Sequence, residues 1–316
     1  MKYINDLYVD QLLSDNWREI IKSIEEAFLD PSVDMIPKTY IQARKGVVWG
    51  DFRAMPAALG DYIGLKWIGV MPNNHSSNLP TTIGTFLLNN RFTGEPLIAI
   101  DCTALTAYRT AATSALVAKY CAPNNVTSIA FIGCGKQAYY HALAYQEIFG
   151  NFTACLYDKD MEAAIKLSTK LHRHGLTSVE FNKDFKKLIN RADIITTLTP
   201  STTPYLDIHD IKSDCHINAI GADAVDKREL MTNVIDGAAD VICDDYEQAS
   251  HSGELQYNVW PHLGVHSVSD LIKNHKTMQL NKGVSVFDST GVAIEDIAIG
   301  VLTWDLYNNK TKTDEH

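Results

Sequence analysis

Ile129-Ala130-Phe131-Ile132-Gly133-Cys134-Gly135-Lys136-Gln137-Ala138 decides how this chain folds. Four apolar residues make a buried strand, and a Gly-x-Gly-x-x-Ala loop then opens a helix expected to run to about residue 148. The first glycine permits a tight turn, the second lets backbone approach a pyrophosphate, and Ala138 allows close helix–strand packing. The helix N-terminus offers unsatisfied N–H groups and a positive dipole end to phosphates. A glycine turn alone is a common connector, so the context matters. Asp158 ends the next strand, Thr153–Tyr157, 20 residues after Ala138, where a carboxylate can bind ribose hydroxyls. That carboxylate repels a 2′-phosphate and favours NADH over NADPH, while Lys159 beside it acts the other way. Gly133, Gly135 and Asp158 are thus candidate cofactor-binding residues.

Beyond this loop the pattern keeps alternating between strand and helix. Further strands are expected at 179–181, 194–197, 216–220, 241–243 and 284–287, which predicts a parallel sheet covered on both faces. Before it the pattern differs. An amphipathic helix over roughly 9–28 precedes extended segments, among them Tyr62–Val70, Thr82–Leu88 and Leu97–Ile100. Asn89–Pro96 reads as a hairpin connection, so an antiparallel sheet is expected there, followed by a helix over 104–119. A last helix, about Ile294 to Tyr307, would return to this first domain and make it discontinuous. The expected fold class is α/β: a Rossmann-type domain at 119–293 beside an α+β domain made of 1–118 with 294–316.

Composition fits two domains, since 316 residues at roughly 150 each give about two. Hydrophobic residues at 46% and charged residues at 21% mark a globular chain rather than a disordered one. With 28 Lys plus Arg against 38 Asp plus Glu, the net charge of −10 gives no global attraction for nucleic acid or anionic membrane. No apolar run is long enough to span a bilayer. The start, Met1-Lys2-Tyr3-Ile4-Asn5-Asp6, lacks a secretion-signal pattern, and Asp10, Asp15, Glu19, Glu25 and Glu26 oppose a transit peptide, so a cytoplasmic protein is expected. The six cysteines form no Cys-x-x-Cys pair and read as buried thiols. His172-Arg173-His174 closes a helix whose Ala164, Leu167 and Leu171 face inward, so it reads as a solvated helix end. No metal site is expected.

Three cations stand in apolar surroundings. Arg109 is the one charge among the 17 residues from Cys102 to Ala118, Lys66 sits in a strand apolar on both faces, and Arg53 lies in Gly50-Asp51-Phe52-Arg53-Ala54-Met55-Pro56. A buried cation without a partner is very costly. Structural pairing with Asp51, Asp61 or Asp101 is one answer. A positive pocket for an anionic substrate is the other, and arginine can grip a carboxylate with two parallel hydrogen bonds. His216-Ile217-Asn218-Ala219-Ile220-Gly221-Ala222-Asp223 runs off a buried strand, and in open parallel sheets such strand ends face the ligand crevice. Asp223 is therefore placed for acid–base work or to hold a substrate amine, and it can also cap the segment that follows. Phe287-Asp288-Ser289-Thr290-Gly291 makes a similar loop.

Taken together, these segments resemble the ornithine cyclodeaminase/mu-crystallin family over nearly the whole chain. The resemblance is carried by Gly50–Pro56, Gly64–Trp67, Leu105–Ala112, Ile132–Gln137, Ile217–Asp223 and Phe287–Gly291. It implies NAD(P)-dependent hydride transfer at the α-carbon of an amino acid or its imine, with Asp223 and Lys66 catalytic. Arg53, Lys66 and Arg109 would hold the substrate carboxylate, Arg109 also reaching the cofactor, and Thr290 would border the substrate. Thr81, Lys136, Gln137, Asp158, Thr199, Ile217, Asn218, Ala219, Ile220, Lys227 and Ser289 would line the dinucleotide site. A homodimer with first-domain sheets packed together is also implied.

Two departures refine the expectation. Cyclodeaminases carry Glu-x-Met-Pro where this chain has Arg53-Ala54-Met55-Pro56, and the alanine dehydrogenase branch shares the arginine. Ala224-Val225-Asp226 precedes Lys227 where many members have Pro-Gly. Reduction of a cyclic imino acid is the first expectation, Δ1-pyrroline-2-carboxylate to L-proline or Δ1-piperideine-2-carboxylate to L-pipecolate. L-Alanine dehydrogenation is the alternative. Arg53 disfavours ornithine cyclisation, and joint retention of Lys66, Arg109 and Asp223 disfavours a non-catalytic protein holding NADPH and a hormone.

Overall fold

The computed structural model describes residues 1–257, 264–275 and 283–314. The chain divides into two compact units, Met1–Thr110 with Val292–His316, and Ala111–Gly291. The first holds β1 (Lys2–Ile4), α1 (Asp6–Leu13), α2 (Trp17–Leu29), β2 (Asp34–Met35), β3 (Thr39–Lys45), β4 (Val47–Leu59), β5 (Tyr62–Val70), β6 (Thr82–Asn90), β7 (Pro96–Asp101) and the start of α3 (Cys102–Cys121). β4 to β7 pair antiparallel in sequence order, as the hairpin signals predict. β1 adds to β7 in parallel and β3 lies antiparallel to β4, strands too polar for periodicity to mark.

The single helix expected over 9–28 is two. Ser14 N–H donates to the Asp10 carbonyl (2.9 Å), while Asn16 Nδ2 donates to the Leu12 carbonyl (2.7 Å). A polar side chain thus takes a carbonyl that a continuing helix would use. α2 then buries Ile20, Ile21 and Ile24, each contributing roughly 1.5–3 kcal/mol against full exposure. In β5 the residues alternate. Lys66 and Ile68 turn to the inner face, where the C-terminal helix, Ala293–Asp314, packs on β4, β5, β6 and α2; Ile63 and Trp67 turn outward and remain exposed.

The second unit contains β8 (Ser128–Ile132), α4 (Lys136–Phe149), β9 (Thr153–Tyr157), α5 (Met161–Arg173), β10 (Val179–Phe181), α6 (Phe185–Ile189), β11 (Ile194–Thr197), β12 (Cys215–Ala219), α7 (Thr232–Asp236), β13 (Asp240–Cys243), α8 (Tyr246–Ser252), β14 (Val265–Ser267), α9 (Val268–Asn274) and β15 (Val284–Asp288). Among the described residues they form an eight-stranded parallel sheet ordered β10-β9-β8-β11-β12-β15-β13-β14. The expected Rossmann-type architecture is observed. β14, three half-buried residues, is an addition that its short, weakly apolar run could not announce. β8 is flanked by β9 and β11, so strand order reverses there, and ligand crevices open at the carboxyl ends of strands at such a reversal. Among the described residues, no helix is long and apolar enough to cross a membrane.

Candidate active site

The loop after β8 has the geometry a dinucleotide needs. Gly133 adopts φ +95°, and a Cβ there would lie 2.8 Å from the Leu198 carbonyl oxygen, so both conformation and space require glycine. Gly135 caps α4 with no side-chain cap bond, and a Cβ on it would meet nothing within 4 Å. With no side chain capping them, the first N–H groups of α4 suit phosphate oxygens as acceptors. Asp158 braces the loop: Oδ2 accepts from Cys134 N–H at 2.7 Å and Oδ1 from Asp160 N–H at 2.9 Å. Each oxygen keeps a lone pair for a ribose hydroxyl. Ala138 is fully buried, as its packing role requires, while the Gln137 side-chain oxygen is buried without a hydrogen-bond partner. These residues fit a nicotinamide dinucleotide.

Beside the loop, buried carboxyl groups stitch the other strand ends together. Glu229 Oε1 accepts from Thr199 N–H (2.7 Å), the Thr199 hydroxyl (2.6 Å) and the Tyr205 hydroxyl (2.8 Å), and Oε2 accepts from Gly221 N–H (2.9 Å). It so ties the carboxyl end of β11 to that of β12. A Cβ on Gly221 would stand 2.2 Å from the Thr199 carbonyl oxygen, which excludes any larger residue. Glu254 accepts from the backbone N–H of Glu229, and Asp288 from those of Glu254 and Leu255. Burial pushes Glu254 up to about 8 and Asp288 up to about 7, with each negative neighbour adding to the rise for Glu254. Sequence reasoning did not single out Glu229 or Glu254. A glutamate in a loop among polar neighbours, as in Lys227-Arg228-Glu229 and Ser252-Gly253-Glu254, carries no periodic signal.

Asp223 sits two residues past Gly221 on the same sheet edge as the dinucleotide loop. Its Oδ1 meets Lys227 Nζ at 2.5 Å, so Lys227, expected on the cofactor, here pairs with the acid–base candidate. Asp226 makes this turn with φ +70°. Aspartate is among the few non-glycine residues that adopt this left-handed backbone readily.

In the first unit the cations are paired. Lys66 Nζ donates to Asp296 Oδ1 at 2.8 Å. Arg109 Nε lies 3.2 Å from the same oxygen and its Nη1 pairs with Glu295. Arg53 Nε donates to Asp51 at 2.7 Å, beneath the Tyr40 ring. The expected surplus of positive charge is therefore corrected: each cation already faces a protein carboxylate. For Arg53 this is the anticipated partner. Lys66 and Arg109 use Glu295 and Asp296, in the first turn of the C-terminal helix, while Asp101 accepts from the Tyr3 hydroxyl and Asp6 N–H. Burial pulls the Lys66 ammonium below its ordinary range, against the attraction of Asp296. An adjacent Glu-Asp pair in the apolar run Val292–Ile299 was a readable signal, the acidic counterpart of the cation argument.

Other candidates lie deeper than expected. Ile217 and Ala219 are fully buried in the sheet, and Asn218 donates to the Tyr145 hydroxyl (2.7 Å) beside His216. Their side chains are committed to the core because β12 is a central strand; only Ile220 stands past its end. Ser289 and Thr290 are buried too, the Thr290 hydroxyl donating to Asp244 at 2.8 Å and receiving Gln248 Nε2 at 2.6 Å. Thr199 is half-buried on Glu229, Lys136 Nζ lies 5.8 Å from the Tyr140 ring, and Thr81 is exposed, its carbonyl accepting from Met71 N–H.

A parallel sheet with a glycine turn at its reversal, an open helix N-terminus and a carboxylate on the next strand define a nicotinamide-dependent oxidoreductase of Rossmann type. The chain belongs to the ornithine cyclodeaminase/mu-crystallin family, which it matches over residues 6–311. It is 35% identical over 312 residues to an alanine dehydrogenase of Archaeoglobus fulgidus, covering 94% of this chain and 92% of that one. It is 31% identical over 296 residues to an ornithine cyclodeaminase of Agrobacterium fabrum (93% and 82%), and 29% over 244 residues to a Δ1-pyrroline-2-carboxylate reductase of Bacillus thuringiensis subsp. konkukian (75% and 75%). A solved archaeal alanine dehydrogenase dimer with bound NAD superposes with a TM-score of 0.90 at 32% identity, covering 98% of this chain and 97% of that one.

Proposed function

We propose that this protein is an NAD(P)H-dependent reductase of α-imino acids, with Δ1-pyrroline-2-carboxylate, giving L-proline, as first substrate and Δ1-piperideine-2-carboxylate as its six-membered counterpart. The observation that carries this reading is Asp223 at the carboxyl end of β12, on the same sheet edge as the loop from Gly133 to Lys136. Gly133, Gly135, Lys136 and Gln137 would hold the phosphates, Asp158 the ribose with a preference for NADH, and Thr81, Arg109, Thr199, Lys227 and Ser289 the remaining contacts. The bound nicotinamide supplies the hydride for the imine carbon. Asp223, held in place by Lys227, protonates the substrate nitrogen from its carboxylic acid form, directly or through water, or as the carboxylate stabilises the nitrogen already protonated. Arg53, Lys66 and Arg109 orient the carboxylate, and Thr290 borders the substrate; fixing both reactants supplies much of the rate. Two subunits pair through the outer faces of their first-unit sheets.

A second reading, alanine dehydrogenation, is favoured by the 35% identity to the Archaeoglobus fulgidus enzyme. It uses the same residues on pyruvate and ammonia. NADH and NADPH oxidation with each cyclic imine, then with pyruvate plus ammonia, separates the two. The cyclic imine is expected to give the higher kcat/KM. Turnover of pyruvate and ammonia alone would establish the second reading, and NADH binding without any turnover would refute both.

A further inference from the structure

Lys66, Arg109, Glu295 and Asp296 form a buried ion-pair network in the first unit. Asp296 bridges Lys66 and Arg109, Glu295 takes the other side of Arg109, and both acids are fully buried. Among these contacts two positive charges meet two negative ones. The charges that Lys66 senses are Asp296 and Arg109, with the Cys102 thiol beside them. Arg109, its side chain 9% exposed, is the member of the network most open to a ligand. Arg53, one cross-strand pair along the same sheet face, is likewise balanced by Asp51. A ligand with net negative charge would leave this buried network with an uncompensated charge, which a low-dielectric setting makes expensive. A ligand that brings its own positive charge beside its carboxylate adds none.

We infer that Glu295 and Asp296 are specificity-determining residues: by cancelling Lys66 and Arg109 they tune the carboxylate site to zwitterions, iminium carboxylates and amino acids, and against keto acids and dicarboxylates. This rests on reading these cations as the carboxylate site of an imino-acid reductase. Glu295→Gln removes one negative charge from the network, and the preference must then move toward anions.

The test is binding, not turnover. With NADH saturating, calorimetric titration compares L-proline, with zero net charge, and pyrrole-2-carboxylate, a five-membered ring carrying a net negative charge. The wild-type protein is expected to hold L-proline more tightly. Glu295→Gln should shift the affinity ratio toward pyrrole-2-carboxylate by about tenfold, a modest share of what one charge at contact range can supply. Glu295→Asp keeps the charge and should keep the wild-type order. Asp296→Asn carries the same expectation as Glu295→Gln should the latter fail to fold, and the wild-type comparison stands without either variant. A wild-type preference for the anion, or an unchanged ratio in the neutralised variants, overturns the inference while leaving the imino-acid site intact. NADH binding with no affinity for either ring compound overturns the functional reading along with it.

Discussion

Asp223 and Lys66 were both expected to be catalytic, yet they answer to substitution in different ways. Asp223 and Lys227 are partly exposed, at 35% and 26% of their side chains, so their ion pair contributes little to stability. Asp223→Asn keeps volume and removes the proton-transfer group. It is expected to lower kcat by about 10²-fold or more, while NADH affinity by fluorescence titration and the thermal midpoint stay near wild type. Full activity in this variant would remove Asp223 from the chemistry. Lys66→Ala is different. It leaves Asp296 buried without its ammonium, a change that typically costs about 3–5 kcal/mol, and a thermal melt should show that loss beside any loss of turnover. What the sequence disclosed at this scale follows from distance along the chain. Arg53 and Asp51 are two residues apart on one strand face, so their pairing was readable. Glu295 stands 186 positions from Arg109 and Asp296 stands 230 from Lys66, and only the folded chain brings them together.

Buried acids tie together the loop layer at the carboxyl ends of β11, β12 and β15, and that gives it a pH signature. Glu254 is raised from 4.5 to about 8 by burial and by Asp288. The folded state therefore binds a proton that the unfolded chain releases. The stabilisation is complete below about pH 4.5 and is lost as pH rises through about 8. Asp288, raised to about 7, acts in the same direction. Glu254→Gln keeps a carbonyl for the Glu229 and Leu230 N–H groups and cannot ionise. Its melting temperature should gain on wild type between pH 5 and pH 9, by about 2–4 °C for each kcal/mol recovered. A difference independent of pH would show that Glu254 is not ionising across that range. Elements with strong period or turn chemistry were legible. Tyr62–Val70, Thr153–Tyr157 and Ile194–Thr197 appear with the expected bounds. The break at Ser14-Asp15-Asn16 was not, because Val9, Leu12, Ile20 and Ile24 keep one apolar stripe across it and only the Asn16 side chain reveals the interruption. Nor were the loop acids, most of whose partners are backbone N–H groups that any residue can offer.

At the scale of the molecule, the outer face of the first unit's sheet is what a lone chain leaves unexplained. Ile41, Ile63, Trp67 and Ile83 are 58%, 44%, 38% and 46% exposed, and Phe52 stacks on Trp67 with ring centroids 5.3 Å apart. They occupy one face of adjacent strands: Ile41 opposite Phe52, Phe52 opposite Gly69, Gly69 opposite Ile83. A contiguous apolar patch of this kind marks an interaction surface, and a symmetric pair can cover it with the same patch on both copies. Light scattering should give twice the chain mass for the wild-type protein. Trp67→Lys places a charge at the centre of the patch, on the face opposite Lys66, so the inner ion-pair network is not touched. The variant is expected to sediment as a monomer and still bind NADH, because the loop from Gly133 to Asp158 belongs wholly to the second unit. A Trp67→Lys protein that remains dimeric would move the contact elsewhere. A monomeric variant that no longer binds NADH would mean that the nucleotide site depends on the assembled pair.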